Sequence, residues 1–208
     1  MRLITTQSGM LSEFPAHLAE ALMRYRHRIF IQRLGWILPT LNGAERDQFD
    51  RDDTLYAVAL DGTGELRGCA RLLPTSLPYL LDVVFPDMVQ EKPLPSSSTI
   101  WEISRFASTC AAATRRLLAE TVACAAQRGA RRLITMSPLG VERLLQRMGV
   151  GISRAGKPVL LNGQYVFACW IEINAQTYAA LDLDNHGYIM QQRSTGNKDA
   201  NNDAKGTT

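Results

Sequence analysis

The sequence predicts a three-layer α/β or α+β domain, with helices packed on the two faces of a mixed sheet. Three observations carry this. Two strand-like runs, residues 55–60 and 65–73, flank "DGTG", a tight-turn signal that implies antiparallel pairing. Beyond residue 99, strand-like and helix-like runs alternate. Of the 208 residues, 46% are hydrophobic, enough to bury a sizeable core.

Each element has a local reason. Within residues 12–34, Leu18, Leu22, Tyr25 and Ile29, with Gln32 next in the series, recur at a spacing of three to four. That predicts one or two helices, stopped by Gly35. The polar run Asn42–Asp53 reads as a loop. After the hairpin, residues 74–98 are rich in proline and serine, which predicts an irregular connection with a short helix near residues 80–85. "TIWEISRFAS" (Thr99–Ser108) reads as the third strand. Thr109 is placed to cap a helix running through Gln127, and Gly129 to end it. Residues 131–137 predict a strand, 141–149 a short helix and 164–173 a strongly apolar strand. Asn174 caps a last helix, "AQTYAAL". One domain over residues 1–188 is expected, followed by a disordered tail over 189–208, which lacks core-forming residues.

Composition excludes several functions. The net charge of +3 is too small to imply nucleic acid, and the basic residues are not interleaved with aromatics. The charge is uneven, however. Residues 111–173 hold nine Lys/Arg against three Asp/Glu, whereas residues 1–110 hold 11 against 13. Cys69, Cys110, Cys124 and Cys169 are widely spaced and read as buried free thiols, and no metal site is assigned. No apolar run approaches 18 residues and the amino terminus lacks a secretory core, so a cytoplasmic protein without membrane insertion is expected. Nucleotide-binding glycine loops, the nucleophile elbow and a complete calcium loop are all missing.

The third strand poses the functional question, because charged groups interrupt a core segment. Alternation puts Glu102, Ser104 and Phe106 on one face, and Trp101, Ile103 and Arg105 on the other. An internal ion-pair network, with Arg71 or Arg105 facing Asp47 or Asp50, is one reading. The number of such groups favours another. Arg26, Phe30, Trp36, Asp47, Asp50, Arg71, Glu102 and Arg105 suit a small zwitterion bearing an aromatic group: arginines for a carboxylate, acids for a cation, a ring for stacking.

The run Arg26–x3–Phe30–x5–Trp36–x10–Asp47–x2–Asp50, then "GCARLLPT" and "WEISRFA", resembles the acyl-homoserine-lactone synthases, the autoinducer synthases of bacterial quorum sensing. "RLGW", "ERDQFD" and "GVERLL" are similar to the family's signatures, and the likeness spans residues 12–182. It implies a three-layer fold like the GNAT N-acyltransferases, with a mixed, mostly antiparallel sheet. It implies two substrates, S-adenosylmethionine and an acyl thioester on acyl carrier protein. The products are an N-acyl-homoserine lactone, 5'-methylthioadenosine and free carrier. S-adenosylmethionine is then a substrate, and no cofactor is expected. The pyrophosphate-binding loop of the GNAT enzymes is not evident, which suits a carrier protein better than coenzyme A.

On this resemblance Glu102 is the expected base for the donor amine, positioned by Ser104. Arg26, Phe30, Trp36, Asp47, Asp50 and Arg71 belong to the adenosylmethionine end, and Arg105 supports the site rather than touching substrate. Thr135, Met136, Ser137, Phe167 and Trp170 are expected to wall the acyl chain, with a hydroxyl at 135 or 137 near a 3-oxo group. Arg131, Arg132, Arg147, Arg154 and Lys157 offer a basic surface to an acidic carrier. Two rivals stand beside this reading: a coenzyme-A-dependent GNAT-type N-acyltransferase with another amine acceptor, and a non-catalytic sensor of acyl groups or adenosylmethionine.

Overall fold

The computed structural model describes residues 1–6, 11–109 and 111–183; the expected tail lies outside these residues. Strand β1 (Arg2–Thr5) comes first, and α1 (Ala16–Arg26) buries Leu18, Leu22, Met23 and Tyr25 against the sheet. The chain continues through His27–Arg33 in wider π-helical turns, with Leu34 N–H reaching back five residues to Ile29, and ends at Gly35 (φ 69°). The expected polar loop contains a miniature hairpin, β2 (Thr40–Leu41) and β3 (Ala44–Glu45). Asn42 and Gly43 turn it with φ of 52° and 74°, the left-handed pair that an Asn-Gly turn favours.

Strands β4 (Leu55–Leu60) and β5 (Leu66–Pro74) form the expected hairpin. A short helix α2 (Leu80–Val84) sits in the irregular connection, and β6 (Ile100–Ser108) is the strand with the charged residues. Helix α3 (Ala111–Gln127) leads to β7 (Arg132–Pro138), α4 (Leu139–Arg147) and two short strands, β8 (Ile152–Arg154) and β9 (Val159–Leu161). The Thr109 hydroxyl donates to the Arg67 carbonyl. Strand β10 (Gln164–Glu172) and α5 (Ala175–Ala180) complete the fold, and Asn174 Oδ1 accepts from Thr177 N–H as the expected cap.

The sheet order is β1-β4-β5-β6-β7-β10-β8, with β9 also paired to β10. The β6–β7 junction is parallel and every other pairing is antiparallel. Helices α1 and α2 cover one face. Helices α3, α4 and α5 cover the other, where Leu118, Val122, Leu145 and Tyr178 pack on Leu72, Ile103, Leu133 and Ile171. This is the expected mixed, mostly antiparallel sheet between helical layers. No helix among the described residues is long and apolar enough to cross a membrane.

Two irregularities place the site. The parallel ladder runs from Ile100↔Arg132 to Ile103↔Thr135 and stops, yet β6 continues to Ser108 and β7 to Pro138. The two strands therefore part and leave a cleft. Across from it, Cys69–Arg71 on β5 spans two steps where Ala107–Ser104 on β6 spans three. The extra residue is a β-bulge, and Arg105 sits there with φ 52°. A non-glycine residue so placed costs roughly 1–3 kcal/mol and needs the surrounding structure to hold it.

Candidate active site

The bulge corrects one expectation. Arg105 does not point away from Ser104 and Arg71; the left-handed turn brings it to the same cluster. Alternation holds only while the strand is regular.

Three guanidiniums and three carboxylates interlock there. Arg26 Nη1 and Nη2 donate to Asp50 at 2.7 and 3.0 Å, and its Nε to Glu45. Arg71 bonds Asp47 at 2.6 and 3.1 Å and Asp50 at 3.1 Å. Arg105 bonds Glu45 at 3.0 Å and Asp47 at 2.8 Å through Nη2, and Glu45 again through Nε. Tyr56 adds its hydroxyl to Asp50 at 2.7 Å. Burial alone would raise the Asp50 pKa, but Arg26 and Arg71 outweigh it and hold the carboxylate far below the usual range. All six side chains are buried, so removing one member strands a charge in low dielectric. Glu45 was not singled out from the sequence; the Asn-Gly turn just before it was the available signal, since the turn folds β3 back towards α1.

Glu102 stands apart from this lattice. Its two oxygens accept the backbone N–H groups of Leu80 and Leu81, each at 2.8 Å, at the start of α2. Burial pushes its carboxyl up to about 7, partly opposed by those N–H groups and by Arg71. Ser104 is held by Arg71 Nε at 2.9 Å and not by Glu102. So Glu102 is neither an ion-pair partner of Arg71 nor hydrogen-bonded to Ser104.

Two cavities meet at the parted strands. The first, about 320 Å³, lies on the α1–α2 side and is walled by Trp36, Asp47, Phe49, Leu80, Arg105 and Met136, among others. The second, about 270 Å³, enters the cleft between β6 and β7 under α3 and α4. Its inner wall is apolar, with Ile103, Leu118, Leu145 and Ile171, while Ser104, Thr135 and Ser137 add hydroxyls. Trp36, Arg105 and Met136 belong to both walls. Phe30 lines the second cavity, and its ring lies 5.2 Å from that of Trp36.

The remaining expected residues divide. Arg26, Asp50, Arg71 and Glu102 lie behind the walls of these two cavities. Phe167 and Trp170 line neither cavity: each is buried in the sheet, Phe167 under Arg154 and Trp170 under Arg132 in the Phe49–Ile134 cluster. Alternation on β10 turns them to opposite faces in any case. Among the basic residues, Arg132 pairs with Glu172 and Arg154 with Glu142, while Arg131, Arg147 and Lys157 are exposed. No cluster of three or more His, Cys, Asp or Glu among the described residues could hold a metal ion.

Residues 11–181 match the family model described as autoinducer synthase. An acyl-homoserine-lactone synthase of Ralstonia solanacearum is 49% identical, over 81% of this chain and 89% of the relative. The crystal structure of TofI, in a ternary complex with an inhibitor and MTA, has a TM-score of 0.83 at 49% identity, covering 90% of this chain and 100% of TofI. The CoA-dependent acyl-homoserine lactone synthase BjaI, solved with SAM and isopentyl-CoA, shares the fold at a TM-score of 0.78 and 24% identity, over 87% and 89% of the two chains. Parted strands, a buried ion lattice and two cavities with three wall residues in common thus sit within a GNAT-like fold, and the chain belongs to the acyl-homoserine-lactone synthases, a family of acyltransferases.

Proposed function

We propose that the chain transfers an acyl group from acyl carrier protein to the amine of S-adenosylmethionine and then closes the lactone, releasing 5'-methylthioadenosine. The observation that carries this reading is the pair of cavities sharing Trp36, Arg105 and Met136. One has rings and a carboxylate, Asp47, for a cationic nucleoside; the other is an apolar slot for an acyl chain. That TofI was solved with MTA and an inhibitor supports two occupants in one such fold.

In this reading Asp47 faces the cationic amine or sulfonium, while Arg26, Arg71 and Asp50 hold Asp47 and its loop in place. Phe30 and Trp36 order the amino-terminal segment over the ligand. Thr135 and Ser137 both present hydroxyls to the acyl slot, where a 3-oxo oxygen would accept from them. The amine must lose a proton as it attacks, and a positioned base is worth ~10²–10⁴ in rate. Glu102 takes that proton through a water relay past Leu80, because its carboxylate sits one layer behind the wall. In the second step the substrate carboxylate attacks its own γ-carbon. The sulfonium leaves readily, so holding the chain folded is the main requirement.

The second reading replaces carrier protein by coenzyme A, the donor of BjaI. The basic balance of residues 111–173 favours an extended acidic partner. One assay tests both: protein, S-adenosylmethionine and either acyl-carrier protein or acyl-coenzyme A. Methylthioadenosine released only with the carrier thioester supports the proposal, and release with acyl-coenzyme A alone supports the second reading. Acylation of another amine without methylthioadenosine, or binding without turnover, overturns both.

A further inference from the structure

Among the described residues, Arg105 is the one cationic side chain in the walls of the two cavities, and it lines both. Its Nε and Nη2 are held by Glu45 and Asp47. Its Nη1 has no hydrogen-bond partner among the described residues, although no buried side-chain polar atom there is left unpartnered, so this edge opens to the cavities it lines. The Phe30 ring, 5.6 Å below the guanidinium, and the two carboxylates fix the plane of the fork. The strained backbone at φ 52° puts there a residue that regular alternation would turn to the opposite face of the sheet.

We propose that Arg105 Nη1–H is the donor to the thioester carbonyl oxygen during acyl transfer, an assignment that rests on the reading above. The amine lone pair forms the N–C bond as the carbonyl π pair moves onto oxygen, and Nη1–H holds that oxyanion. The pair then re-forms C=O while the C–S bond breaks. The amine's proton passes to Glu102 and from there to the departing thiolate, so the amide and the free thiol are the products. The carboxylate of the adenosylmethionine end is the competing claimant on this edge. The junction of the cavities favours the thioester, because the new bond forms where the two substrates meet, and a donor fixed there in advance acts on charge as it develops.

The two claims separate kinetically. Arg105→Lys keeps the charge and loses the fork; Arg105→Gly suits the left-handed backbone and opens a space for added methylguanidinium. With an oxyanion donor, Arg105→Lys binds S-adenosylmethionine within about threefold of the parent by calorimetry while kcat falls ~10²–10³-fold. Methylguanidinium restores part of the kcat of Arg105→Gly. Affinity for S-adenosylmethionine falling as far as kcat assigns the edge to its carboxylate and overturns the proposal; so does unchanged kcat. Should both variants unfold, the parent enzyme decides. A phosphonate analogue of the tetrahedral adduct must then bind at least tenfold tighter than a thioether lacking that oxygen, and equal binding overturns it. Failure of the parent to release methylthioadenosine removes the underlying reading instead, and that outcome is visible in the same assay.

Discussion

A carboxyl group wrapped in apolar side chains and two backbone N–H groups has its proton affinity set by burial. At Glu102 the desolvation penalty exceeds the help from Leu80 and Leu81, and the group titrates near 7 rather than 4.5. The sign follows from which form burial disfavours. The folded state holds the proton more tightly than the unfolded state, so the carboxyl's contribution to stability is full below its ordinary pKa and is lost as pH rises towards 7. If Glu102 is the base proposed above, its deprotonated form is the useful one. The substrate's own α-amine, ordinarily at roughly 7.8, already costs the acylation step about tenfold per pH unit below that value, and protonation of Glu102 adds a second loss below about 7. Glu102→Gln should leave only the amine's limb and lower turnover by ~10²–10⁴ while adenosylmethionine affinity is kept. A fall below 7 as steep in the variant as in the parent would remove Glu102 from the reaction. Burial of this carboxylate was legible in the sequence from its apolar neighbours; its partners were not, since they come from the backbone of a helix in a proline-rich connection. Arg105 was misplaced for a related reason. Period-two alternation is a rule for regular strands, and the site lies where regularity is broken.

Elements show the same division between long patterns and short ones. The DGTG hairpin, the apolar strand at 164–172 and the Asn174 cap follow from spacing and turn chemistry that act over a few residues. Strands β1, β8 and β9, of four, three and three residues, carry too little pattern and exist because a neighbour pairs with them. The hairpin at 40–45 matters most for the site, because Glu45 reaches both Arg26 and Arg105 from it. A two-stranded hairpin of this length has little stability of its own. Pinned by Glu45, it carries the chain into the loop that presents Asp47. Glu45→Ala leaves two buried guanidiniums short of a partner, a loss on the order of 3–5 kcal/mol. At roughly 2–4 °C per kcal/mol for a domain of this size, the midpoint should drop by about 6–20 °C in thermal unfolding. A shift under about 2 °C would mean that the lattice relaxes to accept the loss.

The molecule as a whole is polar along its strands: the cleft opens where β6 and β7 end, so a partner that docks at the cleft would meet the charges that stand near that end. Register orders them. Ser137 lies opposite Phe167 and Val159 opposite Val166, so Lys157, just before β9, stands at the cleft end of the sheet. Arg131 and Arg132 stand at the start of β7, roughly 20 Å away at the rise of an extended strand. Exposed charges feel each other over about 8 Å at physiological salt, so the two groups would act on a bound carrier separately. Arg132 is also neutralised by Glu172 and stacked on Trp170, at 4.1 Å from the ring, which leaves Arg131 as the cation of that pair with no carboxylate partner among the described residues. If the carrier delivers its thioester through the cleft, Lys157→Glu raises its KM roughly three- to tenfold at low salt, about 1 kcal/mol, and less in high salt. Arg131→Glu changes it by less than half as much. The reverse ranking would place the carrier on the far end of the sheet and require the acyl chain to enter from there, and equal, salt-independent values for both would leave the basic surface without a part in docking.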